Sequence, residues 1–150
     1  VKISGGSVDF IARRSQVYVY KAATQSINPL AWTPIDLDTI VYDVWGDFNI
    51  GTYQFTAPEP GKYLVVGAVG VSGLADGKYC EVSAWKNDAV YLGIVMVYAG
   101  ASGGLWLPSI SIVELAQGDT VKLYVQHNDT VARNIDQNKS STYLQIMRIK

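Results

Sequence analysis

Cysteine is almost absent: Cys80 stands alone in 150 residues. That excludes an internal disulfide and a multi-cysteine zinc site, while one buried thiol is compatible with any redox compartment. Histidine is also single, at His127. Charge is scarce, with 17% Asp, Glu, Lys and Arg against about a quarter in ordinary soluble domains. The formal net charge is −1 and no Lys/Arg-rich run occurs, so neither nucleic acid nor an anionic membrane has an electrostatic claim on the chain. Long apolar runs are missing too. Tyr63–Val71 and Ala89–Ala99 are strand-sized and interrupted by glycine, which excludes a bilayer-spanning helix. No window of helical length carries a clean 3.6-residue apolar stripe free of Gly and Pro. The chain starts at Val1 without an initiating Met or signal peptide, so the expectation is a processed or excised piece of a longer protein.

What is present is β-forming. Val, Ile, Thr and Tyr are plentiful, and Gly, Pro, Asn and Asp punctuate them at regular intervals. The pattern predicts strands over Gln16–Ala22, Ile35–Tyr42, Gly51–Thr56, Lys62–Ser72, Tyr79–Lys86, Tyr91–Tyr98, Leu105–Leu115, Thr120–Gln126 and Thr142–Lys150. Pro58-Glu59-Pro60-Gly61 is a strong turn, with Gly61 supplying positive φ, and Asn87-Asp88 is a tight hairpin turn. Phe55 and Tyr63 flank the first turn and are expected to pair across a hairpin. Residues 1–15, with the Gly/Ser-rich Val1–Ser7, read as a tether and lead-in, and 16–150 as one domain. Nine or ten strands joined by turns in one domain of this size imply a ten-stranded β-sandwich or jelly roll.

Two kinds of strand are distinguishable. Thr120–Gln126 alternates, with Val121, Leu123 and Val125 on one face and Lys122, Tyr124 and Gln126 on the other, as a strand with one wet face does. Tyr63–Val71 and Tyr91–Tyr98 are apolar or small on both faces and need cover on their outer side. Self-association supplies it most simply. The alternative is cover by a long loop or an extra strand.

The spacing of Asp43, Phe48, Phe55, Gly61 and Tyr63 resembles the aromatic signature of the globular head of complement component C1q, in the jelly-roll group that includes tumour necrosis factor. Leu37, Val65 and Gly67 stand where that signature has aromatics. Glu81–Asn87, Ser109–Val125 with its Leu115-Ala-Gln-Gly-Asp119 turn, and Ser141–Met147 resemble further strands of the same head, although Gln145 replaces a usual glycine. The resemblance covers Gln16 to Lys150. It implies a tight homotrimer at the tip of a stalk, binding ligands through outer loops, in an extracellular, cell-surface or virion setting that includes bacterial and phage or viral fibres. The two-faced strands then place Val65, Gly67, Val69, Val71, Ile94, Met96 and Tyr98 at the trimer interface.

Catalytic chemistry has little to work with. His127 with Ser109 or Ser111 and Asp129 lacks any Gly-x-Ser-x-Gly motif, and a Cys80–His127 thiol pair competes with the usual fate of a strand cysteine, burial. No catalytic residue is assigned and no enzyme is expected. No cofactor is expected either, apart from calcium, for which the carboxylate pairs Asp36/Asp38, Asp43/Asp47 and Asp129/Asp136 offer hard oxygens without EF-hand spacing. The glycines at 67, 70, 73 and 100–104 lack the Lys-Ser/Thr ending of a phosphate loop. For binding, the loops Val44–Ile50, Leu74–Lys78, Gly100–Gly104 and Asn128–Ser140 carry the candidates Trp45, Asp47, Asn49, Asp76, Asn128 and Asp129, with Trp45 suited to stacking on a sugar. Trp32, Trp85 and Trp106 read as core or interface residues. The expected function is a non-enzymatic trimeric recognition head of a longer secreted or fibre protein, taking a protein or glycan ligand. The alternatives are a carbohydrate-binding module of an enzyme and a purely structural trimerisation head.

Overall fold

The computed structural model describes residues 14–149; the expected tether at Val1–Ser7 and the terminal Lys150 lie outside the described residues. Thirteen strands and no helix form among the described residues. In chain order they are β1 (Gln16–Tyr20), β2 (Gln25–Ile27), β3 (Thr33–Pro34), β4 (Thr39–Asp43), β5 (Phe48–Asn49), β6 (Gln54–Thr56), β7 (Gly61–Leu74), β8 (Tyr79–Lys86), β9 (Val90–Tyr98), β10 (Gly103–Leu115), β11 (Thr120–His127), β12 (Arg133–Ile135) and β13 (Tyr143–Arg148).

They pair antiparallel in two sheets. The first runs β2-β12-β7-β13-β1-β4, with β10 along the other side of β7. The second runs β5-β6-β11-β8-β9, with β3 also on β11. The two sheets face each other across one core, to which β7 contributes Tyr63, Val65, Val69 and Val71 and β11 contributes Val121, Leu123 and Val125. This is the expected all-β jelly-roll sandwich. The strand count exceeds ten because β2, β3 and β12 have only two or three residues, too few to show a period.

Local chemistry explains several elements. Asn87 and Asp88 both have φ 53°, as the two-residue type I′ hairpin requires. Gly61 has φ 156° at the end of the Pro-Glu-Pro-Gly turn. That turn does not make a hairpin. It carries the chain from the second sheet to the first, so Phe55 and Tyr63 meet across the core, with centroids 5.7 Å apart in an edge-on arrangement. Tyr63 also donates its hydroxyl to the Glu59 carbonyl at 2.7 Å, closing the turn. The expected strand Ile35–Tyr42 is likewise a crossover. Ile35 bonds to Leu123 of the second sheet, the Leu37 amide folds back onto the Ile35 carbonyl at 2.9 Å, and ladder pairing in the first sheet begins only at Thr39.

The facing of β7 corrects the interface expectation. Val65, Gly67, Val69 and Val71 point into the core and are fully buried within the single chain. Their neighbours Leu64, Val66 and Ala68 point outward instead. Since both sets are apolar or small, the sequence period of two could not say which set faced which way.

The outer faces of the two sheets differ. The segment 28–34 runs along β11, anchored by the Leu30 amide on the His127 carbonyl at 2.7 Å. It brings Trp32 over the second sheet, where its ring meets Trp85 and Tyr91. On the same face outward-pointing Ser83 is fully buried and Glu81 nearly so, whereas Ile94, Met96 and Tyr98 of β9 are exposed. On the first sheet the loop between β12 and β13 covers only part of the outer face: Asp136 packs over Gly70, and the Lys139 carbonyl takes the Tyr18 hydroxyl at 2.7 Å.

Candidate functional site

Registers across the first sheet assemble its outward face row by row. One row is Tyr42, Tyr18, Gln145, Val66 and Ile110; the next is Gln16, Met147, Leu64 and Ile112; a third is Tyr20, Tyr143, Ala68 and Pro108. Ile110 and Ile112 are 69% and 67% exposed, and Trp106 and Tyr42 are about half exposed. Tyr18 sits at the centre, edge-on to Tyr42 at 5.7 Å and to Tyr143 at 5.9 Å. A concavity of about 140 Å³ opens between Tyr42, Leu64, Val66, Gln145 and Met147. Contiguous apolar exposure of this kind marks an interaction surface.

A second apolar surface lies on the β9–β10 side. There the sandwich is open, and Leu92, Val95, Val97, Leu105 and Val113 are only partly buried against the core. The Ser111 hydroxyl bonds to the Leu92 carbonyl across the opening. Ile94, Met96 and Tyr98 project from β9 on the outer side of the second sheet and are exposed.

The expected ligand residues do not converge. Pairing of β1 with β13 and of β11 with β8 puts Val44–Ile50 at one end of the sandwich, and Leu74–Lys78 and Asn128–Ser140 at the other. Trp45, Asp47 and Asn49 are therefore separated by the length of the strands from Asp76, Asn128 and Asp129. Most of the polar groups also have structural duties. Asp47 is buried and accepts the Ser15 hydroxyl at 2.6 Å. Asn49 caps the Gly51 amide at 2.8 Å and Asn128 the Tyr79 amide at 2.7 Å. Asp129 is buried, accepting the Ala75 amide at 2.9 Å, the Thr130 amide at 2.7 Å and the Arg133 guanidinium at 2.6 Å. The Ala75 bond leads the set that holds its carboxyl at about 2 against the opposing effect of desolvation. Trp45, Asn49 and Asp76 are exposed at the surface. Trp45 is displayed by a firm loop, because the Asp43 carboxylate takes the Asp47 and Phe48 amides at 2.9 Å each. The sequence hid these duties, since a turn aspartate and a ligand aspartate look alike until the backbone amides around them are placed.

The groups weighed for catalysis are tied up. His127 and Cys80 are opposite one another in the β11–β8 ladder and both buried. However, the Nδ1 of His127 accepts the Asp129 amide at 3.1 Å and its Nε2 lies 3.1 Å from the Ile27 carbonyl. These partners assign the proton to Nε2 and leave neither nitrogen to activate a thiol. Burial, with the Glu81 charge adding to it, pushes the Cys80 thiol up to about 12. Among the described residues, no group of three or more His, Cys, Asp or Glu side chains could hold a metal ion. Among the described residues no helix is long and apolar enough to cross a membrane.

No protein-family model and no curated protein matches this sequence. Solved structures do match its shape. The globular domain of zebrafish complement 1qA superposes with a TM-score of 0.68 at 19% identity, covering 91% of this chain and 98% of that one. Murine APRIL gives 0.68 at 14% identity over 91% and 100% of the two chains. Eiger TNF from S. frugiperda gives 0.66 at 12% identity over 91% and 92%. With its two antiparallel sheets and its helix-free described core, the chain therefore has the jelly-roll fold common to the complement C1q head and the tumour necrosis factor ligands.

Proposed function

We propose that this protein is a non-enzymatic recognition head that works as a homotrimer. The carrying observation is the apolar outward face of the first sheet. The loop carrying Asp136 and Lys139 closes off the Gly70 end of that face, but Tyr42, Val66, Trp106, Ile110, Ile112 and Met147 remain as a solvent-facing apolar expanse. The open β9–β10 side is a different apolar surface, so one surface of each copy meets the other surface of the next. Such head-to-tail contacts close into rings, and the resemblance to the complement head supports three members. Ile94, Met96 and Tyr98, on the β9 side, keep their place in the proposed contact.

Ligands, a surface protein or a glycan, engage loops at the end opposite Ser15, where Leu74–Lys78, Gly100–Gly104 and Asn128–Ser140 gather. Three copies would multiply a weak contact by avidity. An extracellular setting, on a secreted or fibre protein, fits the same resemblance.

Light scattering at micromolar concentration tests the assembly. The expected mass is about three times the chain's 16.4 kDa. Ile112→Lys, 67% exposed in the single chain, should leave the fold intact and yield monomer by burying an unpaired charge in the contact. A monomeric wild-type protein, or a trimer indifferent to Ile112→Lys, would reject this reading.

A further inference from the structure

A cluster of rings stands on the outward side of the second sheet beside the Asn87-Asp88 hairpin, and neither the core nor the outward first-sheet face uses it. Trp85 and Tyr91 are cross-strand partners with centroids 4.5 Å apart. Trp32 meets Trp85 at 5.6 Å and Tyr91 at 5.8 Å. Tyr124 stacks on Trp85 at 4.3 Å with planes 23° apart. The arrangement is braced: the Tyr124 hydroxyl donates to Asp88 at 2.9 Å, and Lys122 pairs with the other Asp88 oxygen at 2.9 Å. Tyr91 is 47% exposed, and Trp32 and Trp85 are half-buried, so ring surface remains at the solvent.

We propose that this cluster is a binding subsite for a neutral hexopyranose unit of a glycan. Flat ring faces at the surface suit the C–H face of a sugar whose hydroxyls are equatorial. The polar neighbours are a carboxylate and an ammonium already paired with each other. They offer acceptor and donor capacity without net charge, which fits hydroxyls better than it fits an ion. The rings are held by one another, so little side-chain freedom is lost on binding. A further observation points the same way: the Trp85 Nε1–H is sealed from solvent and has no hydrogen-bond partner. A ligand that parts the rings packed on Trp85 would bring a sugar oxygen to this donor and supply the missing acceptor. The subsite lies wholly within one chain, so it stands or falls independently of the trimer.

The test is titration of the full chain with cellotetraose, chitotetraose and maltotetraose, followed by tryptophan fluorescence and calorimetry, with light scattering in parallel. At least one oligosaccharide should bind and shift the tryptophan emission. Tyr91→Ala and Trp32→Ala should each weaken it by about tenfold or more, Tyr91→Phe by less than about twofold, and the oligomer mass should not change. The proposal is overturned if none of the three binds at about 10 mM, or if Tyr91→Ala and Trp32→Ala bind as the wild type does. It is also overturned if only Trp45→Ala abolishes binding, which places the sugar on the Val44–Ile50 loop at the same end of the sandwich instead. Dissociation of the oligomer by Tyr91→Ala would make the ring cluster a contact between copies and overturn it equally.

Discussion

Gly67 occupies a position at which the complement-head signature has an aromatic, and Leu123 of the opposite sheet fills the space. A Cβ built on Gly67 would lie 2.8 Å from Leu123 Cδ1 and 3.4 Å from Cδ2. Carbon atoms in contact prefer about 3.5–4.0 Å, so Gly67→Ala forces an overlap in a core where Leu123 is fully buried. Overpacking of that size costs about 1–3 kcal/mol. Replacing a strand glycine returns about 0.5–1 kcal/mol, leaving a net loss of about 0–2.5 kcal/mol. Leu123→Ala alone should cost about 2–5 kcal/mol through its cavity. In the double variant the clash is gone and the new methyl occupies part of the cavity, so Gly67→Ala should become neutral or stabilising there. The cycle should thus show a coupling of about 1–3 kcal/mol in favour of the double variant. Urea unfolding reads it, at one fixed protein concentration because assembly contributes to apparent stability. If the two effects simply add, to within about 0.5 kcal/mol, Leu123 is not what excludes a side chain at position 67.

Acid should weaken the fold through three carboxylates. Desolvation raises Asp38, but bonds from Lys21, the Ala22 and Ala23 amides and Thr39 outweigh it and hold it at about 2. Asp119, bonded first by Asn87 and then by Lys86, also sits at about 2, as does Asp129. The unfolded value is about 3.9, so their contribution is complete above about pH 4 and is lost as pH falls towards 2. The urea midpoint should drop over that window, and Asp38→Asn should flatten the drop; a constant midpoint from pH 4 to 2 contradicts the assignment. Cys80 should resist iodoacetamide at pH 8 in the native protein and react fully in denaturant, given a thiol at about 12; rapid native labelling would show that β8 opens locally.

Where composition and turn chemistry act alone, the sequence was a good guide. β8 spans the expected Tyr79–Lys86, and the Asn87-Asp88 turn follows it. The jelly-roll architecture followed from strand number and aromatic spacing. Decisions taken between sheets were not legible. The facing of β7 depended on which sheet came to lie over it, and Val65 and Val66 are equally apolar. The partner of Phe55 depended on whether the Pro58–Gly61 turn folds back or crosses over. β12 lies inside a stretch that reads as a polar loop, because Arg133 and Asn134 carry no strand pattern and pair only once β2 and β7 are beside them. Among the candidate ligands, the burial of Asp47 and Asp129 was not legible because their partners, Ser15 and Ala75, are distant in sequence. The ring cluster was missed for a similar reason: Trp32, Trp85, Tyr91 and Tyr124 come from four strands or their approaches and meet only in the folded sheet.

The backbone bond from the Arg148 amide to the Ser15 carbonyl, at 3.0 Å, places both ends of the described chain side by side at one pole of the sandwich. A domain entered and left through a single doorway can be spliced into a loop of a host protein with a short linker, and its ends can be joined while new ends are cut elsewhere. Cutting at the Ala75–Gly77 tip would put new termini at the far pole, so a cargo fused there would point away from the Ser15 and Arg148 pole. The molecule can thus serve as a plug-in part, joined at one pole and varied at the other.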